Sequence, residues 1–362
     1  MAISLSGFVK GSINRISEHH LRRFHNQMAL TSLKEHENNE KLTVEEKKAI
    51  SSLWGPVGYK SHGEWHRLYK AVHGFDERFV PNDVYGLELL PRLNTTNLLP
   101  AWDDKAYYPR LFPDVKQPVA IAFVIDGLCY DNKYRFVDVH DLVHFILDNY
   151  TRIIIKPSDG LEGRGVEIVK VIDLDFDSLK AKLLSFGRNY VIQEVIEQHD
   201  SLAAYNISSV NPIRVMTLRL GGKIHFLHAT LRFGSPGSHT DMSFVDGKEI
   251  GHVCAINKDG IVSKEWYDMD GKRALFSDFG ITRQEIIPNF NKIIETAVAV
   301  HSGLHHFDFV GFDFTVNKQQ EPIMIEYNVY WPGIIIPQYC HGPLFGDLTE
   351  ELLSELKNKP KK

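Results

Sequence analysis

One segment limits the fold more than any other: TRIIIKPSDGLEGRGVEIVKV, residues 151–171. The β-branched run Thr151 to Lys156 predicts a strand, and Gly165 to Val171 predicts a second. Between them lie Lys156-Pro157 and a loop carrying Gly160, Gly163 and Gly165. Glycine admits positive φ and close backbone approach. Successive free N–H groups in such a loop can cradle an anion, and a lysine at the strand end can reach a phosphate. The strand–loop–strand order excludes a Walker A loop, whose GK[ST] opens a helix. It also excludes the dinucleotide fingerprint, which needs strand–loop–helix. An ordinary Gly-rich hairpin with a solvated lysine stays open at this point.

A second signal lies in FDFVGFDFTVNKQQEPIMIEYNVYWPG, residues 307–333. Strands are expected at Phe307 to Val316 and Pro322 to Tyr330. A turn centred on Gln319-Gln320 places Asp313 opposite Glu326, on one face with close side chains. Asn328, two residues beyond Glu326, shares that face. Two carboxylates and a carboxamide converging this way repel unless a cation lies between them. Hard oxygen ligands of this kind suit Mg²⁺. A solvent-facing strand is the alternative, and the apolar Ile323, Met324 and Ile325 argue against it. A register slip of one residue would break the pairing.

Between the two signals, VIQEVIEQHDSL, residues 191–202, reads as an apolar strand entering a polar segment. Its backbone could meet an adenine edge, with Glu197 or Asp200 near a ribose.

The remaining pattern is α+β. Residues 1–95 read as helical, with a capping box at Thr43 and Glu46 and a second helix from Gly63 to Val72. Residues 81–101, rich in Pro and Asn, read as a boundary. Strands follow at Ala120 to Val124 and Tyr190 to Ile196. A hairpin joins Arg214 to Leu220 with Lys223 to Phe233 across Gly221-Gly222. Another strand pair is expected at Val253 to Val262. Helices are expected at Val137 to Asn149, Leu179 to Phe186 and Leu348 to Leu356, and one running to His301 from a capping box at Thr282 and Glu285. The divisions are 1–95, 96–190 with the lysines and loop, 191–345 with the hinge strand and metal site, and 346–362.

Composition narrows the function. Net charge is -5, without the basic excess of a duplex-binding surface. Cys129, Cys254 and Cys340 form no CxxC and no disulfide framework, which points to a reducing, cytoplasmic setting. The N-terminal stretch has no secretory apolar core, and no run of residues is long and apolar enough to span a membrane. Histidines at helical spacing (His62 and His66, His140 and His144, His301 and His305) lack an HExxH and a third ligand, so they read as surface or packing residues.

Residues 95–345 resemble the ATP-grasp superfamily, closest to its sugar-transfer-associated family; the pattern is also similar to that of D-alanine–D-alanine ligase. Asp104-Lys105 matches a D-K element, and Lys156-Pro157 matches the K-P that precedes the family's glycine-rich loop. The resemblance implies an ATP-grasp fold, two α+β lobes gripping ATP. It assigns the nucleotide phosphates to Lys105 and Lys156, and its hinge strand looks like Gln193, Glu194, Val195 and Ile196; the loop glycines Gly160, Gly163 and Gly165 and the ribose candidate Asp200 complete the nucleotide set. SSVNPIRVMTLRL, residues 208–220, is similar to S-x-N-x-x-R-x-x-T and places Ser209, Asn211, Arg214 and Thr217. Arg232 matches a second arginine; with Arg214 it is a candidate for stabilising an oxyanion. Asp313, Glu326 and Asn328 match the metal motif.

The implied activity is ATP- and Mg²⁺-dependent joining of a carboxylate to an amine through an acyl phosphate, on a small-molecule or saccharide acceptor. A kinase of the same fold and a non-catalytic nucleotide-binding module are the alternatives. Two departures stand out. No dinucleotide-type domain precedes the motif, and HTDMSFVDGKEIGHV, residues 239–253, replaces the glycine pair expected after the second arginine.

Overall fold

The computed structural model describes residues 5–361 apart from 59–62, 160–164, 236–237, 239–241, 246–247, 280–283 and 358. Two antiparallel sheets carry the α+β architecture. The smaller sheet has β1 (Ala120–Ile125), β2 (Leu128–Asp131), β3 (Arg152–Pro157), β4 (Glu167–Lys170) and β5 (Tyr190–Gln193) in the order β2-β1-β5-β3-β4. Helices Val139–Asn149 and Phe176–Phe186 pack on it through Val143, Ile146, Leu179 and Leu183. Each begins at an aspartate, Asp138 or Asp175, whose carboxylate accepts a backbone N–H of the first turn.

The larger sheet contains β6 (Ile213–Leu220), β7 (Lys223–Phe233), β8 (Met242–Val245), β9 (Lys248–Ile256), β10 (Glu265–Tyr267), β11 (Arg273–Leu275), β12 (Phe309–Val316) and β13 (Pro322–Asn328). The order is β11-β10-β9-β7-β6-β12-β13, with β8 paired to β9. Gly221 and Gly222 both have positive φ, as the two-residue turn between β6 and β7 requires. Consecutive residues of β6 and β12 feed opposite cores. Val215 and Val310 pack with helix Phe290–Gly303; Met216 and Phe309 pack with the N-terminal helices and helix Thr349–Leu356. A strand buried on both faces loses the apolar–polar alternation, which is why β12 is apolar through most of its length.

The N-terminal region is helical, led by Leu5–Leu33, Val44–Trp54 and Glu64–His73. The capping box at Thr43 and Glu46 forms in both directions. Residues 82–93 lie within the stretch read as a boundary. They form three buried helical pieces, one of them a π-helix, and share a core with the large sheet. Pro91 does not end the helical run, because it sits at a first turn where its missing N–H is not needed.

Two local expectations are corrected. The long helix starts at Phe290, not at Thr282, which lies outside the described residues. Glu285 to Ile287 is extended instead, hydrogen-bonded to Val262 and Gly260, and Pro288 then separates it from the helix. The strand at Tyr190 ends at Gln193 rather than Ile196; the Glu194 N–H still donates to Val119 O at 2.9 Å, and the chain then leaves the strand. Among the described residues no helix is long and apolar enough to cross a membrane.

Candidate nucleotide and metal site

The β12–β13 hairpin shows how Asp313 and Glu326 come to face each other. Asn317 pairs with Glu321, so the loop is three residues, Lys318 to Gln320, with Gln320 at φ 61°. That turn differs from the two-residue turn expected and shifts the register by one. A bulge then inserts Ile325, because Phe314 pairs with Met324 while Asp313 pairs with Glu326. The bulge restores the facing pair that the turn alone would have lost.

The pairing continues across the sheet. Glu326 on β13 lies opposite Asp313 on β12, Asp313 opposite Arg214 on β6, and Arg214 opposite Thr230 on β7. Directly opposed residues share a face. Arg214 donates through Nη2 to Asp313 Oδ2 at 2.8 Å and through Nε to Asp313 Oδ1. Asn328 Nδ2 donates to Asp313 Oδ2 at 3.4 Å. Burial pushes the Asp313 carboxyl up, but Arg214, helped by Arg232, holds it below the usual carboxylate range.

The other wall comes from the small sheet. Lys156 ends β3, and Lys105 opens a single 3-10 turn capped by Asp104. The Lys105 N–H donates to Ser158 O at 2.9 Å, which ties that turn to the strand end after Lys156-Pro157. Lys105 Nζ lies 3.3 Å from Glu326 Oε2, a contact that bridges the two walls. Lys156 is buried, and burial together with the neighbouring Lys105 pulls its ammonium down to about 8, against the opposing pull of Glu326.

A single cavity of about 1030 Å³ brings these groups together. Lys105, Lys156, Gln193, Glu194, Ile196, Asp200, Arg214, Arg232, Asp313, Glu326 and Asn328 all line it. Asp200 is exposed and ion-paired with Lys318. Gly160 and Gly163 lie outside the described residues; Gly165 has φ 73° and follows them beside Pro157. Ser209 lines the cavity as well, while Asn211 and Thr217 serve the scaffold. Asn211 Nδ2 donates to Leu202 O and Asn206 O, Ser209 O accepts from Gln198 Nε2, and Thr217 Oγ1 meets His301 Nδ1 at 2.7 Å. His301 and His66 are core residues, and His140 and His144 pack on Phe176.

Thr230 and Trp331 also line the cavity and were not singled out from the sequence. Thr230 was findable, since it stands two residues before Arg232 and so shares its strand face.

The oxygen donors fit a hard divalent cation. They comprise two carboxylates, one of them held ionised by an arginine, and a neighbouring carboxamide. Among the described residues no group of three or more His, Cys, Asp or Glu is arranged to hold a metal.

Residues 86–350 match the family described as sugar-transfer associated ATP-grasp. The chain belongs to that family. Solved ATP-grasp structures similar to this chain include the ligase PsnB complexed with a minimal precursor, at 14% identity and TM-score 0.42, covering 71% of this chain and 61% of that one. Biotin carboxylase from Campylobacter jejuni is 13% identical with TM-score 0.43, covering 74% and 49%. The D-cycloserine synthetase DcsG is 15% identical with TM-score 0.42, covering 73% and 72%. The chain thus spans about half to three-quarters of the length of these structures. No curated protein is significantly similar in sequence.

Proposed function

We propose that this ATP-grasp chain is an ADP-forming ligase that joins a carboxylate to an amine through an acyl phosphate. The acceptor is saccharide-related, in keeping with the family's description. The observation that supports this reading is the row Glu326–Asp313–Arg214 on the large sheet, facing Lys105 and Lys156 across one cavity.

Lys156 and Lys105 hold the nucleotide phosphates. Lys105 exchanges its Glu326 partner for phosphate oxygen when the triphosphate enters. Gln193, Glu194 and Ile196 form the adenine edge, where the chain leaves the end of β5, and Asp200 lies on the ribose side. Gly160, Gly163 and Gly165 cover the phosphates. Asp313, Glu326 and Asn328 would hold Mg²⁺, which when bound neutralises charge on the phosphate oxygens.

The substrate carboxylate attacks the γ-phosphorus and the bond to the β-phosphate oxygen breaks, releasing ADP. The amine lone pair then attacks the acyl carbon, and phosphate leaves as the amine loses a proton. Arg214 is committed to Asp313, so it orients a metal ligand. Arg232, farther along the cavity floor, holds the oxyanion formed in the second step.

The test is ADP release from ATP and Mg²⁺ over a panel of carboxylate and amine pairs, with mass spectrometry of products. Free phosphate with a new amide supports a ligase. Phosphate retained on the acceptor shows a kinase instead. ATP binding without turnover on any pair leaves a non-catalytic module. Lys156→Ala, and Asp313→Asn with Glu326→Gln, should each abolish turnover.

A further inference from the structure

The cavity continues past the groups used above. Its floor crosses the large sheet from Glu326 through Asp313, Arg214 and Thr230 to Val253 on β9 and Asp270 in the β10–β11 turn. Five strand spacings separate β13 from β10, about 24 Å across the sheet. The nucleotide candidates gather toward β13, where Lys105 meets Glu326. The β10 half is walled by the N-terminal helix Leu5–Leu33. Ser32 Oγ donates to Asp270 Oδ1 at 2.7 Å and His36 meets Asp270 O at 2.8 Å, which pins that helix over the turn.

Two features line the cavity beneath that helix. The first is a rigid apolar wall. Trp331 follows the metal strand; its ring stacks on His25 of the N-terminal helix at 5.5 Å and 9°, and meets Tyr85 edge-on at 5.6 Å. A Cβ on Gly86 would lie 2.0 Å from that ring, so the ring rests directly on backbone. Phe24 and Met28 extend the wall, with Phe24 60% exposed. The second is a set of unmet polar atoms. Trp65 Nε1, Asn82 Oδ1, Thr230 Oγ1 and the Tyr339 hydroxyl have no hydrogen-bond partner, and all four residues are buried and line the cavity. None carries charge. The indole N–H needs an acceptor, the amide oxygen needs a donor, and a hydroxyl is both.

We propose that the part of the cavity beneath the N-terminal helix is the acceptor subsite and that it takes the polyhydroxylated ring of a saccharide unit, with the ring's C–H face on the apolar wall and its hydroxyls meeting the unpaired atoms. This rests on the ligase reading for the role of acceptor, and the N-terminal helical region thereby becomes part of the binding site.

Saturation-transfer NMR on the full chain tests it, with N-acetylglucosamine and galactose as ring probes and ethanolamine and glycine as acyclic controls. Each is recorded with and without a non-hydrolysable ATP analogue. Ring protons of the saccharides should saturate, the analogue should not displace them, and Phe24→Ala should weaken binding about tenfold. Phe24 is largely exposed, so this variant should fold; Thr230→Val, which removes one unmet hydroxyl, should weaken binding independently. Displacement by the ATP analogue overturns the proposal. So does binding that both variants leave unchanged, or saturation of the acyclic amines alone. Saccharide binding with no ADP release on any acceptor pair refutes the ligase reading and leaves the saccharide site in place. Ligation of acyclic amines with no saccharide binding does the reverse.

Discussion

Arg214 on β6 clasps Asp313 on β12 from directly across the ladder, and both side chains are withdrawn from solvent. A buried pair of this kind is costly to split, because the surviving charge has no water to turn to. Arg214→Met should therefore lower stability by about 3–5 kcal/mol, read as a shift in urea midpoint. Asp313→Asn keeps the shape and one acceptor, so its stability loss should be smaller while turnover is still lost. The double variant Arg214→Met with Asp313→Leu should recover much of the stability and none of the activity.

Lys156 links pH to both stability and nucleotide binding. Its ammonium is held at about 8, below the ordinary 10.5. Between those values the unfolded chain binds the extra proton, so stability rises with pH across that window. Below pH 8 the buried charge opposes folding by on the order of 3 kcal/mol. Lys156→Met should accordingly raise the melting temperature at pH 7 while ATP binding disappears. Phosphates favour the charged form, so ATP binding above pH 8 should take up close to one proton. Calorimetry in buffers of different ionisation enthalpy measures this.

Gly86 supports the Trp331 wall through the absence of a side chain. Gly86→Ala places a methyl inside the ring, and Trp331 cannot yield without breaking its stack on His25. The expected cost is about 1–3 kcal/mol. Altered Trp331 fluorescence should accompany it, together with a raised KM for the acceptor and little change in the KM for ATP.

Buried neutral histidines should make the fold acid-labile well above the carboxylate range. Burial holds His25, His66 and His301 at about 4, against an ordinary 6.5. Their folded values are depressed, so each contribution is complete above pH 6.5 and is lost as pH falls toward 4. Unfolding at pH 5 should take up about three protons from these groups. Burial lowers His228, His252 and His341 as well, so the histidine part of the slope of melting temperature against pH should flatten by about a sixth in His66→Leu, provided that the variant folds with its core intact.

The elements legible in the sequence were those whose signals are local. The strand–loop–strand around Lys156 carries β-branched residues on one side and glycines on the other. The Thr43 capping box acts within four residues, and Gly221-Gly222 demands a tight turn wherever it occurs. Thr282 and Glu285 carry the same cap spacing as Thr43 and Glu46, yet Glu285 pairs with Val262 instead, a partner more than twenty residues away. Within the stretch 81–101 read as a boundary, Pro and Asn hide the helical run of residues 82–93, which is buried against Met216 and Phe309.

By itself the sequence determined which residue types stand at which strand positions, and hence that Asp313, Glu326 and Asn328 offer oxygen and Lys105 and Lys156 offer charge. Only the tertiary structure decided that they share a cavity, that Arg214 is spent on Asp313, and that the N-terminal helix walls the far end. Pairing register, burial and desolvation depend on what the rest of the chain brings alongside. The bulge at Ile325 illustrates this, since one extra residue in the ladder sets which face Glu326 occupies.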